Sequence, residues 1–162
     1  MAQTSLVIGG TGMLAMATNW LVAQSDLTVL VSRHAKRFAA GNPTVQAIEA
    51  DWNHPRFRHV VTDGLSRASG ITHALLWIHD IASALDWLMP LLGTARVVVI
   101  LGSTDGKPIV PETFASPAFV RLGSMSAGAG RRWLTHEEIS LGAIAALQDG
   151  KSRTIGDLLP LN

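Results

Sequence analysis

Short apolar runs alternate along this chain with longer stretches whose apolar residues recur at helical spacing. Residues 5–9 (SLVIG) form an apolar run that stops at Gly9-Gly10-Thr11-Gly12. From 13 to 23, Leu14, Ala17, Leu21 and Val22 fall on one face and predict a helix. Residues 27–32 (LTVLVS) predict a second strand, and 45–50 a weaker third that ends at Asp51-Trp52-Asn53. A helix with Phe57, Val60, Val61 and Leu65 opens near Pro55, a residue that first turns accept, and runs to about Ser66. Residues 74–78 (ALLWI) predict the fourth strand, 81–92 the next helix and 96–101 (RVVVIL) the clearest buried strand. Residues 102–117 are rich in Gly and Pro and read as a long loop, a rare feature that often serves function. A strand over 119–123, a helix from Thr135 to about Leu147 and a short strand over 153–155 complete the pattern. Strands alternating with helices predict an α/β fold: one doubly wound Rossmann-type domain over 1–162, with a mainly parallel sheet and right-handed crossovers.

Composition narrows the setting. With 48% hydrophobic residues, strands buried on both faces are expected, as in parallel sheets. A membrane helix needs about 20 apolar residues in a row. The best stretch, 74–92, is interrupted by His79, Asp80, Asp86 and Pro90. No Lys or Arg precedes Arg33, so the start lacks the charge of a signal peptide, and a cytoplasmic protein without a membrane partner is expected. Thirteen Lys and Arg against twelve Asp and Glu leave +1, which gives no field for nucleic acid. The chain has no cysteine, which removes disulfides, thiolate metal sites and a cysteine nucleophile. No His, Asp or Glu cluster has ligand spacing, so no metal is expected.

The first strand, the glycine turn and the first helix make one unit. Two registers fit, Gly10-x-Gly12-x-x-Ala15 and Gly9-x-x-Gly12-x-x-Ala15. In either, one glycine makes the tight turn, Gly12 lets the backbone approach a pyrophosphate, and a small residue at 15 lets helix and strand pack closely. Free N–H groups and the positive helix end then face the anion, which makes Gly9, Gly10, Thr11, Gly12, Met13 and Leu14 candidate coenzyme-binding residues. The end of the second strand selects the coenzyme. An NAD site places a carboxylate there for the ribose 2′-hydroxyl. This chain offers Ser32, Arg33 and His34, with Lys36 and Arg37 one turn on. A guanidinium clamps a 2′-phosphate with two parallel hydrogen bonds, so NADP(H) is the expected coenzyme.

The segment VIGGTGMLA resembles the nucleotide turn of extended and atypical short-chain dehydrogenase/reductases. The resemblance extends to EADW, which looks like that family's acidic residue beside the adenine and implies a role for Asp51, with Trp52 next to it. It places Ile78-His79 where the family's fourth strand ends near the coenzyme ribose, and Gly102-Ser103-Thr104 where the fifth strand delivers a catalytic serine. The segment RRWLTHEEISLGAIAAL is similar to a short bacterial set of short-chain-dehydrogenase-like proteins. The coenzyme half of the likeness spans about 5–103.

The departures matter as much. The family works with a Tyr-x-x-x-Lys pair, and this chain has no tyrosine. Of Lys36, Lys107 and Lys151 only Lys107 lies near the expected region, and there is little room for the helix that would carry the pair. Catalytic candidates are therefore Ser103, which orients a carbonyl but needs a base to act further, with His79 and His136 as proton carriers. Thr135-His136-Glu137-Glu138 also reads as a capping box, Thr135 at the N-cap and Glu138 at N3. Trp20, Trp77 and Trp87 read as core.

Two readings stay open. One is an NADP(H)-dependent oxidoreductase acting on a small carbonyl- or imine-type substrate, for which the serine, the histidines and the loop speak. The other is a non-catalytic NADP(H)-binding sensor or partner protein, for which the missing tyrosine speaks. With so short a substrate region, a second subunit closing the pocket, and hence a homodimer, is expected.

Overall fold

The computed structural model describes residues 2–68 and 70–159. Seven strands form one sheet: β1 (Thr4–Ile8), β2 (Leu27–Ser32), β3 (Val45–Glu49), β4 (His73–Leu76), β5 (Arg96–Leu101), β6 (Ala118–Leu122) and β9 (Arg153–Ile155). Their order is β3-β2-β1-β4-β5-β6-β9, and every neighbouring pair is parallel. The order reverses between β1 and β4. This is the doubly wound arrangement that the alternation of elements predicts.

Side-chain alternation along the strands divides the interior into two cores. Leu6, Ile8, Val29, Val31, Leu76 and Val99 face one side, where α3 (Phe57–Ser66) and α4 (Ile81–Leu92) cover them. Val7, Leu30, Leu75, Val98 and Ile100 face the other, under α1 (Ala15–Gln24), the short α2 (Ala35–Ala39) and α5 (His136–Asp149). The central strands are thus apolar at successive positions, because both faces are buried.

α5 begins as its sequence implies. Thr135 Oγ1 accepts a hydrogen bond from the Glu138 N–H at 3.1 Å, and the Glu138 carboxylate accepts one from the Thr135 N–H at 2.8 Å. Buried Ser140 ties α5 to α1: its Oγ accepts from the Ala17 N–H at 3.2 Å and donates to the Met13 carbonyl at 3.3 Å.

Several elements differ from the sequence reading. β4 lies over His73–Leu76 and stops two residues before Ile78. The basic stretch after β2 coils into α2. A hairpin of β7 (Ser124–Ala127) and β8 (Gly130–Trp133) fills the gap before α5. Residues 102–117 form no helix or strand, as their Gly and Pro content predicts.

Candidate functional site

The reversal of strand order opens a cleft at the carboxyl ends of β1, β2 and β4, where doubly wound sheets bind ligands. A cavity of about 460 Å³ occupies it, bounded by the glycine turn, the end of β2 and the segment after β3. That volume lies in the range of about 300–1,000 Å³ usual for small-molecule sites.

The three glycines of the turn do different work. Gly9 has φ +77°, and a Cβ there would collide with the Trp77 carbonyl oxygen, so it is the glycine that makes the tight turn. Gly10 is buried, and a Cβ would strike Thr18 Oγ1 and Val7 Cγ1. The Thr18 hydroxyl donates to the Gly10 carbonyl at 2.7 Å, which locks the turn onto α1. Close packing of helix on strand is therefore set at Gly10, whereas the sequence reading places it at Ala15. Gly12 meets nothing within 4 Å and faces the cavity. Among the described residues, the N–H groups of Thr11, Gly12 and Met13 donate to no protein acceptor. All three residues line the cavity; Leu14 instead is fully buried in the core.

At the end of β2, Ser32, Arg33 and His34 line the same cavity. The Ser32 hydroxyl is buried without a hydrogen-bond partner among the described residues. Arg33 is exposed and makes no ion pair among them. Arg37 sits on α2, outside the cavity lining. Asp51 and Trp52 close the opposite wall, where Asp51 Oδ1 accepts from the Asn53 N–H at 2.9 Å and sets the turn after β3. Asn53, Phe57 and Trp77 join the lining. Sequence reasoning assigns Trp77 to the core, against which it does pack, and misses that it also lines this cavity. The available signal is its place one residue past β4, beside the glycine turn.

A second cavity, about 310 Å³, adjoins the first through Met13 and Trp77, which line both. Ser103, just after β5, and His136, at the start of α5, both line it. The turn that carries Ser103 is braced. Asp105 Oδ2 accepts from the Gly102 N–H at 2.6 Å, and Arg121 donates to the Gly102 and Asp105 carbonyls at 3.1 and 2.6 Å.

His79 is not brought to this pair. It lines a third cavity with Trp52, Phe57 and Trp87, on the side of α3 and α4, and Ile78 packs into that core. The reason is local: β4 ends at Leu76, and Asp80 caps α4 by accepting from the Ser83 N–H at 3.4 Å, which turns His79 toward α3. Trp20, Trp77 and Trp87 are half-buried and pack against the two cores, as the sequence reading expects. Lys107 lies over the Phe119 ring at 5.3 Å. Among the described residues no three His, Asp or Glu side chains gather as metal ligands, and no helix is long and apolar enough to cross a membrane.

No family model matches the sequence, and no curated protein matches it. Solved structures do match. A short-chain dehydrogenase from Burkholderia cenocepacia in complex with NADP superposes with a TM-score of 0.66 at 16% identity, covering 97% of this chain and 89% of that one. ChuY, an anaerobillin reductase from Escherichia coli, gives 0.64 at 15% identity over 98% of this chain and 100% of that one. The MalC reductase/Diels-Alderase from Malbranchea aurantiaca gives 0.69 at 12% identity over 98% and 96%. The chain therefore has the fold of the short-chain dehydrogenase/reductase structures.

Proposed function

We propose that this chain binds NADP(H) in the first cavity and acts as a reductase on a small carbonyl or imine compound in the second. The observation that carries this is one cavity holding both the N–H groups before α1 and Arg33 at the end of β2, neither with a protein partner among the described residues. Thr11, Gly12 and Met13 would hold the pyrophosphate, Gly12 offering room for close approach. Arg33, with the orphaned Ser32 hydroxyl and His34 beside it, would hold the 2′-phosphate. Asp51 and Trp52 would face the adenosine. The coenzyme supplies hydride when bound; the protein binds, orients and keeps water out. In the second cavity Ser103 Oγ would orient the substrate's carbonyl or imine, and His136 would hold the proton.

A regulatory reading is favoured by one observation, the absence of any tyrosine to donate that proton. Lys107, the lysine nearest the site in sequence, rests on Phe119 instead. A sensor would bind NADPH and turn over nothing. The protein is further proposed to act in the cytoplasm, as a homodimer.

Titration with NADPH and NADH, followed by tryptophan fluorescence, tests the coenzyme reading. NADPH should bind about tenfold or more tightly than NADH, since charge-assisted hydrogen bonds contribute about 1.5–3 kcal/mol each. Arg33→Asp should narrow or reverse the gap. Equal affinities in the unmodified protein would refute the 2′-phosphate site, and NADPH binding without turnover across a carbonyl and imine panel would select the sensor.

A further inference from the structure

The cavity shared by Ser103 and His136 has a chemistry that coenzyme binding does not use. Its walls are Met13, Trp77, Leu122, Leu134 and Ile139, with Trp133 beside them and glycine backbone at 102 and 123. Ser103 and His136 supply its polar side chains, and among the described residues no Lys, Arg, Asp or Glu lines it. The charged side chains next to the lining are engaged with protein groups outside it: Arg121 donates to the Gly102 and Asp105 carbonyls, Asp105 accepts from the Gly102 N–H, and Arg132 donates to both Glu138 carboxylate oxygens, at 2.7 and 3.2 Å. An ionised ligand entering this space would lose part of its water and meet no counter-charge among the side chains that line it.

Trp133 is the second observation. It is 70% exposed, although tryptophan carries more apolar surface than any other side chain. Its strand is braced rather than loose. Arg131 donates to Ser124 Oγ and to the Ser124 carbonyl, both at 2.8 Å, and to Asp157 at 3.0 Å. Arg132 donates to the Trp133 carbonyl at 2.9 Å. A rigid hairpin thus holds an uncovered aromatic ring beside an uncharged apolar cavity, and a stacking partner would cover it.

We propose that this cavity selects an uncharged, planar aromatic compound, its ring against Trp133 and its carbonyl or imine directed at Ser103 and His136. The carbonyl or imine rests on the reductase reading above; the neutral aromatic character rests on the cavity and Trp133 alone. At about 310 Å³ the space is near the small end of ligand sites, which fits a compact ring system.

The test uses the full chain, with and without NADP⁺, and three probes: acetophenone, its anionic analogue 4-acetylbenzoate, and cyclohexyl methyl ketone. Affinities are read by saturation-transfer NMR and calorimetry. Acetophenone should bind, and 4-acetylbenzoate should bind about tenfold or more weakly because its carboxylate is desolvated unpaired. Cyclohexyl methyl ketone, which cannot stack, should bind about threefold or more weakly. Trp133→Ala should weaken acetophenone about tenfold, Trp133→Phe should restore most of it, and NADPH affinity should be unchanged in both. Circular dichroism confirms that the variants fold, as an exposed position allows. Equal affinity for the anion, indifference to Trp133→Ala, or no acetophenone binding at millimolar concentration would each overturn the proposal. So would conversion of a dimer to a monomer by Trp133→Ala, which would mean that a second copy covers the ring. Loss of NADPH binding alone, with acetophenone retained, would strike the reductase reading and leave the aromatic site standing.

Discussion

Gly10 and Gly12 stand two residues apart in one turn, and the space around each decides what a methyl group would do there. At Gly10 a Cβ runs into Thr18 and Val7, and the turn cannot shift without breaking the hydrogen bond from Thr18. Gly10→Ala should therefore cost about 1–3 kcal/mol of stability, the usual penalty for overpacking a filled interior. At Gly12 a Cβ meets open space, so Gly12→Ala should change stability by less than about 0.5 kcal/mol. It should nevertheless weaken NADPH, because the methyl group would stand where the pyrophosphate approaches. Chemical denaturation and coenzyme titration of the two variants separate the effects; a large stability loss at Gly12 would refute the assignment. The sequence holds the motif but leaves two registers open, since close approach to a ligand and close approach to a helix both demand glycine. The positive φ of Gly9 and the packing of Gly10 against Thr18 distinguish them. The place of Trp77 in the cleft was illegible for a related reason: a tryptophan after an apolar strand looks like core, and whether it lines a cleft depends on where the strand ends.

Helix α5 starts with an arrangement the sequence does reveal, because a capping box is local and its spacing is fixed. Thr135→Ala should cost about 1 kcal/mol through loss of the cap, measured by denaturant unfolding. Glu138 adds a pH dependence. The Arg132 guanidinium, followed by the Thr135 N–H, holds the Glu138 carboxyl down at about 2, below its ordinary 4.5. As pH falls, the unfolded chain therefore binds this proton first. The contribution is complete above the ordinary carboxylate range and is lost between about 4.5 and about 2. Glu138→Gln should flatten the fall of stability in that window. It should not abolish the fall, because Asp149, lowered by the Lys151 N–H and by Arg153, acts with the same sign. An unchanged acid profile would remove Glu138 from the account. The β7–β8 hairpin just before this helix escaped the sequence reading, since its strands are only four residues each and carry few large apolar side chains. Its one signal was Gly128, which has φ +60° at the first position of a two-residue loop.

For the molecule as a whole, the strand alternation was legible because parallel strands buried on both faces read as continuous apolar runs. The grouping of Ser103 with His136 is one the sequence suggests, and both line the second cavity; the exile of His79 to another cavity was not legible, because it depends on how loops cross the end of the sheet. That end is where the two halves of the fold meet. The glycine turn and Arg33 come from the β1–β3 half, and Trp77 from the β4–β6 half; all three line one cavity. A ligand held there binds the folded chain and has no site on the unfolded one, so it should raise the stability of the entire domain. At a hundredfold excess over Kd the gain is about 2.7 kcal/mol. For a domain of this size that corresponds to a rise in Tm of about 5–10 °C. NADPH should produce this shift, NADH at the same concentration a smaller one, and Arg33→Asp should reduce the NADPH shift toward that of NADH. The sheet carries both cores, so the transition should stay single and move as a unit. If NADPH leaves Tm unchanged, or if NADH shifts it equally, the cavity does not distinguish the 2′-phosphate. If only part of the unfolding transition moves, the two halves are not one cooperative structure and the cleft between them is not the binding site.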